Sequence, residues 1–110
     1  MSILVQKLSQ GEHPAEVSLQ PERTLQALKQ RIDRGYIHVK FTETQGGTEL
    51  GIRLDRSASQ LDADFEKGSG ELRLVGDLTL DYVKVRCTVR IDLATFSGKG
   101  HLTPLQQITL

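Results

Sequence analysis

The fold is decided by residues 36–54, which read YIHVKFTETQGGTELGIRL. Apolar and polar residues alternate on both sides of Gln45-Gly46-Gly47, and a period of two is typical of a strand with one buried face. The glycines supply the positive φ that a tight turn requires. A turn at Gln45-Gly46 predicts a β-hairpin that pairs Phe41 with Leu50, Val39 with Ile52 and Ile37 with Leu54. A turn at Gly46-Gly47 shifts the register by two residues and buries the same face.

A helix is predicted just before this hairpin, over Pro21–Arg34. Proline suits the first helical position, and Gly35 suits the left-handed conformation that ends a helix. Leu25, Leu28 and Ile32 form a narrow apolar stripe, so the helix is expected to bury one side. Nearer the N-terminus, residues 3–8 are interpreted as a strand and residues 11–17 as a connector.

Alternation continues beyond residue 54 and predicts further antiparallel strands. One strand is expected over residues 61–65, followed by a turn at Gly68-x-Gly70 and a long hairpin that turns at residues 81–84. A turn that contains Gly98-x-Gly100 then leads into a last strand. The pairs that this arrangement predicts are Leu72 with Leu93, Leu74 with Ile91, Leu93 with Leu102, Arg73 with Asp92 and Thr79 with Arg86. Opposite charges meet in this register, which is what favourable cross-strand pairs require.

These elements predict one α+β domain over residues 1–110, with one N-terminal helix packed on a curled, roll-like antiparallel meander of about six strands. A sheet with one apolar face must be covered, by the helix, by its own curvature or by a second copy of the chain. The alternative is a small closed or nearly closed β-barrel with one helix. The order of elements resembles cystatin-like rolls in general architecture, which implies no function.

Composition excludes several classes of protein. Lys and Arg number 14 and so do Asp and Glu, and this zero balance argues against binding through neutralised phosphates, so no nucleic acid partner is expected. One cysteine rules out an internal disulfide and a cysteine-based zinc site. The first residues lack a secretory signal and no run is apolar enough to span a membrane, so a cytoplasmic protein without a membrane partner is expected.

No pattern of residues predicts catalysis, a metal or a cofactor. Cys87 is expected to face inward and to be inert. The three histidines, His13, His38 and His101, show no metal-ligand spacing. Both glycine pairs precede strands, whereas a dinucleotide site needs a helix there. These patterns lean away from an enzyme and leave one route to catalysis open, a site assembled from separate strands.

The candidate binding site is the outer face of the first hairpin. The Gln45-Gly46 register places His38 opposite Arg53, Tyr36 opposite Asp55, and Lys40 opposite Gly51. Cationic groups around a glycine predict a site for an anion or an acidic partner.

Two functions are compatible with these patterns. The first is a non-enzymatic interaction or accessory domain that binds a protein partner or a second copy of itself, since the apolar sheet face exceeds what one helix covers. The alternative is a carrier for a small apolar ligand in a pocket enclosed by the curled sheet. A filled interior would count against the carrier.

Overall fold

The computed structural model describes residues 3–19, 24–44, 47–80 and 82–107. Six strands form a closed barrel in which neighbours along the chain pair antiparallel and β1 pairs with both β2 and β6. The elements are α1 (Ile3–Leu8), β1 (His13–Val17), α2 (Leu25–Arg34), β2 (Tyr36–Phe41), β3 (Thr48–Leu54), β4 (Glu71–Leu80), β5 (Val83–Asp92) and β6 (Ser97–Gln107).

Barrel closure confirms the α+β class and the alternative architecture, with two helices among the described residues where one was expected. The alternating apolar residues point inward, and Ile37, Phe41, Ile52, Leu74 and Ile91 are fully buried. Closure therefore encloses the apolar face of the sheet within one chain. In the described barrel, this covers the apolar sheet face that favoured association with a second copy.

Helix α2 has the local signals that its sequence predicts. Thr24 caps its start, where the Thr24 hydroxyl accepts a hydrogen bond from the Ala27 N–H at 3.1 Å. Gly35 ends it at φ 77°, and its N–H donates to the carbonyl groups of Arg31 and Ile32. The predicted start at Pro21 lies outside the described residues.

Two expectations for the N-terminal part are wrong. Residues 3–8 form helix α1, in which Val5 and Leu8 are buried, and not a strand. Residues 13–17, inside the expected connector, form β1 with Ala15 and Val17 in the core. Pro14 is the second residue of β1, and a residue without an N–H is tolerated more readily at the start of a strand than at its centre.

The strand expected over residues 61–65 is also wrong. Residues 55–70 form turns with only two isolated bridges, Gln60–Arg73 and Asp64–Ser69, and β3 pairs directly with β4. Leu61, Ala63 and Phe65 are partly buried against the core, so their alternation reflects loop packing. The loop also holds α2, since Arg56 Nη2 donates to the carbonyls of Ile32 and Asp33 at 2.7 and 2.9 Å.

Each predicted hairpin register is wrong although its buried face is right. In the first hairpin, the observed pairs differ by two residues from the Gln45-Gly46 register, in the direction opposite to the stated alternative. In the long hairpin, the observed pairs also differ by two residues from the predicted ones. The observed pairs are Phe41 with Thr48, Val39 with Leu50, Ile37 with Ile52, Leu72 with Ile91, Leu74 with Val89, Arg73 with Arg90, Asp77 with Arg86, and Cys87 with Leu102.

Gly98 and Gly100 lie within β6 and not in the turn expected there. A Cβ on Gly98 would lie 1.8 Å from the Arg90 carbonyl oxygen, so β5 and β6 approach too closely for a side chain. Glycine at this position permits the close approach of the two strands, at a point where β6 also pairs with β1. Gly68 and Gly70, by contrast, have positive φ and lie in the turn region that the sequence predicts.

Candidate functional site

The predicted site on the first hairpin is rearranged by the observed register. Tyr36 lies opposite Arg53, His38 lies opposite Gly51, and Lys40 lies opposite Glu49. The predicted pairings of His38 with Arg53, Tyr36 with Asp55, and Lys40 with Gly51 are therefore wrong.

Lys40 has an acidic residue as its partner position on each neighbouring strand. Glu49 is its partner position on β3, and Glu16 is its partner position on β1. Opposite charges on neighbouring strands are favourable, so this lysine has acidic neighbours on both sides. Any anion at this place would compete with both of them.

Tyr36 covers Gly51, the glycine at the centre of the predicted anion site. A Cβ on Gly51 would lie 2.0 Å from the Tyr36 hydroxyl oxygen, so the Tyr36 side chain occupies that space. The Tyr36 and His38 rings meet edge to face with centroids 5.2 Å apart. An aromatic ring over a strand glycine stabilises a sheet, and this explains the pair without a ligand.

Asp55 belongs to a different cluster. Its carboxylate accepts hydrogen bonds from the Ser57 hydroxyl at 2.6 Å and from the Ser57 and Ala58 N–H groups. Arg86 donates both to Asp55 and to Asp77, its cross-strand partner, at 3.2 and 2.9 Å. The Ser57 hydroxyl, ahead of the other contacts, holds the pKa of Asp55 below its ordinary value, and Asp77 raises the pKa of Arg86. This network anchors the loop after β3 to the barrel.

Cys87 is fully buried between β4 and β6, facing Gly76 and Leu102. Burial raises the pKa of its thiol to about 12. The thiolate is the reactive form, so this cysteine is unsuited to nucleophilic catalysis.

The structure instead places cations together on the outer face of β4, β5 and β6. Arg73, Arg90 and Lys99 are direct partners on three neighbouring strands, and we call them the basic row. Neighbouring strands lie about 4.8 Å apart, and like charges directly opposite each other are destabilising. This arrangement therefore has an electrostatic cost that an anion lying across the row would relieve.

The basic row borders two adjoining depressions of about 300 and 390 Å³ that share Glu12, Glu71 and Arg90. Together they form the charged groove, whose charged and titratable lining residues are Glu12, Glu71, Arg73, Arg90, Asp92, Lys99 and His101.

The floor and both walls of the charged groove are set by the fold. Thr88 and Arg90 come from β5, at the centre of the three strands. Gln60, bridged to Arg73, brings the loop after β3 alongside β4 and forms one wall. Glu12, just before β1, forms the other wall beside His101.

One carboxylate already contacts the groove's basic side chains. Glu12 Oε1 lies 3.4 Å from Arg90 Nη2 and 3.3 Å from His101 Nδ1. The Arg73 side chain donates one hydrogen bond, from Nη2 to the Ala58 carbonyl at 3.1 Å. Within the described part of the chain, the Lys99 side chain makes no hydrogen bond or ion pair, although its backbone lies in the β6 ladder. The groove therefore holds a carboxylate and keeps further donors for an anion.

Other chemistry finds little support in the described residues. No group of three or more His, Cys, Asp or Glu side chains among them could hold a metal ion. No helix in the described ranges has the length and apolar character needed to cross a membrane. Neither the known family models nor the curated proteins include one that matches this chain.

Proposed function

We propose that this protein is a non-enzymatic interaction domain that binds an acidic partner in the charged groove. The observation that carries the proposal is the basic row, in which Arg73, Arg90 and Lys99 are direct neighbours on β4, β5 and β6. Like charges directly opposite each other destabilise a sheet, and an anion that lies over the three cations reduces this repulsion. Arginine supports such binding because its fork of donors matches a carboxylate.

The barrel interior supports the carrier hypothesis less well. Its wall residues are mostly bulky, and Phe41, Ile37 and Ile52 are fully buried. Large side chains packed to protein density fill a barrel of this strand number, so space for an apolar ligand is small. The two depressions of the charged groove have polar or charged walls, and so does a third depression beside Glu12 and His101.

The proposal is tested by titrating isotopically labelled protein with tetraglutamate and following the amide resonances by NMR. We expect shifts at Arg73, Thr88, Arg90 and His101, and no comparable shifts with tetraglutamine or tetralysine. Added salt should weaken the binding, since the contacts are charged and exposed.

Variants separate the groove from general surface charge. Arg90→Gln should weaken tetraglutamate binding about tenfold, the equivalent of about 1.4 kcal/mol. Lys84→Gln removes a cation from the same strand outside the groove and should have little effect. Equal losses in the two variants, or no shifts in the wild type, would overturn the proposal.

A further inference from the structure

Glu12 lies where an incoming carboxylate would bind. Its carboxylate contacts Arg90 and His101 at the same time, and it does so from the segment between α1 and β1, outside the three strands that carry the basic row. It is thus an intramolecular acid bound by part of the groove.

We infer that the charged groove recognises the carboxylate side chains of an extended acidic protein segment, and that Glu12 competes with this segment for Arg90 and His101. The inference rests on the proposed function and adds to it the class of partner and a built-in competitor.

Geometry makes Glu12 a weak competitor. Its two contacts are 3.4 and 3.3 Å long, whereas strong charge-assisted hydrogen bonds are about 2.7–2.9 Å. The Glu12 side chain is 36% exposed, so rotation about its own bonds frees Arg90 without movement of the barrel. An incoming carboxylate that reaches Arg90 and Arg73 together gains contacts that Glu12 does not make.

An extended segment fits the shape of the basic row. The row crosses three strands, a span of about 10 Å, and alternate side chains of an extended chain repeat at about 6.8 Å on one face. Two acidic side chains of such a segment can therefore lie over the row.

The acidic neighbours of the basic row favour a protein segment over a polyanion. Glu71 and Asp92 form a direct pair one step along the strands, and both line the groove. They repel a continuous phosphate backbone, and the net charge of zero gives no long-range attraction to nucleic acid. An acidic segment that also carries a basic residue can place its carboxylates over the basic row and its basic residue over Glu71 and Asp92.

The test compares Glu12→Gln with Glu71→Gln. Each variant removes one carboxylate from the groove, but only Glu12 contacts the basic side chains among the interactions found. Tetraglutamate should bind Glu12→Gln at least about threefold more tightly than the wild type, because the competing state is removed. The gain for Glu71→Gln should be smaller.

Binding should also displace Glu12 in the wild type. Tetraglutamate should therefore shift the amide resonances of Gly11 and Glu12 together with the ring resonances of His101. In Glu12→Gln, the ring resonances of His101 should already differ before any peptide is added.

The outcomes separate the two proposals. If Arg90→Gln weakens binding but Glu12→Gln binds no more tightly than Glu71→Gln, the competition is refuted and the groove remains the site. If Arg90→Gln binds as the wild type does, the proposed function itself fails. Tighter binding of oligouridylate than of tetraglutamate would overturn the assignment to an acidic protein segment.

Discussion

Arg73 on β4 lies directly opposite Arg90 on β5, and Arg90 in turn lies opposite Lys99 on β6. The central arginine thus has a cation on each side. Thr88, two residues before Arg90, lies opposite Val75 and His101. The row of arginine and lysine side chains is therefore not repeated at the Thr88 position.

This line of charges predicts that removing one of them does not weaken the fold. Lys99→Gln should raise the free energy of unfolding by about 0.2–1 kcal/mol, because it removes a like-charge neighbour of Arg90. The gain should shrink in concentrated salt. Urea denaturation at low and high ionic strength measures both effects, and a clear loss of stability at low salt would contradict the prediction.

Leu74 and Val89 form an inward-facing cross-strand pair, and both are fully buried. Leu74→Ala should lower the free energy of unfolding by about 2–5 kcal/mol, since it leaves a cavity in the barrel. A double-mutant cycle with Val89→Ala should give a coupling of about 0.5–3 kcal/mol. The cycle with Ile91→Ala, the partner predicted from the sequence, should give a smaller coupling. The reverse order would show that the observed register is wrong.

A single added methyl group at Gly98 should also lower the free energy of unfolding. Gly98→Ala places a Cβ against the Arg90 carbonyl, and overpacking of this kind lowers stability by about 1–3 kcal/mol. Thr103→Ala changes an exposed residue of the same strand and should alter stability by no more than about 0.5 kcal/mol. Thermal unfolding of both variants, followed by circular dichroism, makes the comparison. Equal stability of the two would rule out the close approach of β5 and β6.

Asp55 should make the fold sensitive to acid. Its pKa is lower in the folded protein than its ordinary value of 3.8, so the unfolded chain binds a proton more readily. The contribution of Asp55 is therefore present above that ordinary value and is lost as the pH falls through the lower, folded pKa.

The measurement is the urea midpoint from about pH 6 to about pH 2.5. The midpoint of the wild type should fall more steeply below about pH 4 than that of Asp55→Asn. Asp62→Asn, which changes an exposed carboxylate of the same loop, should follow the wild type. Parallel curves for Asp55→Asn and the wild type would contradict the role of Asp55.

The buried faces of the strands could be predicted from the sequence, but their pairing could not. A slip of two residues keeps every apolar side chain inside, so alternation does not distinguish Leu74–Val89 from Leu74–Ile91. The same slip changes every outer pair. It exchanges the expected Arg73–Asp92 pair for Arg73–Arg90, and this is why the basic row was missed.

Other differences came from short elements whose surroundings decide their structure. In β1, Ala15 and Val17 are the only buried residues, so its apolar pattern is short. Pro14 also argues against a strand when the sequence is read alone. Leu4 and Leu8 have the four-residue spacing of one helical face, a signal that could have indicated α1. Leu61, Ala63 and Phe65 alternate like a strand, but the partner edge of β3 is already taken by β4.

The pairing of β1 with β6 has a consequence for synthesis of the chain. β1 is made before β6, yet one of its edges is completed only by residues 97–100. Pairings between segments so distant along the chain form slowly, because a long loop must close at an entropic cost before any stabilising contact forms. During translation, β1 must therefore wait for β6 to leave the ribosome, and until then its unfilled edge is a point where a chaperone or another nascent chain can bind.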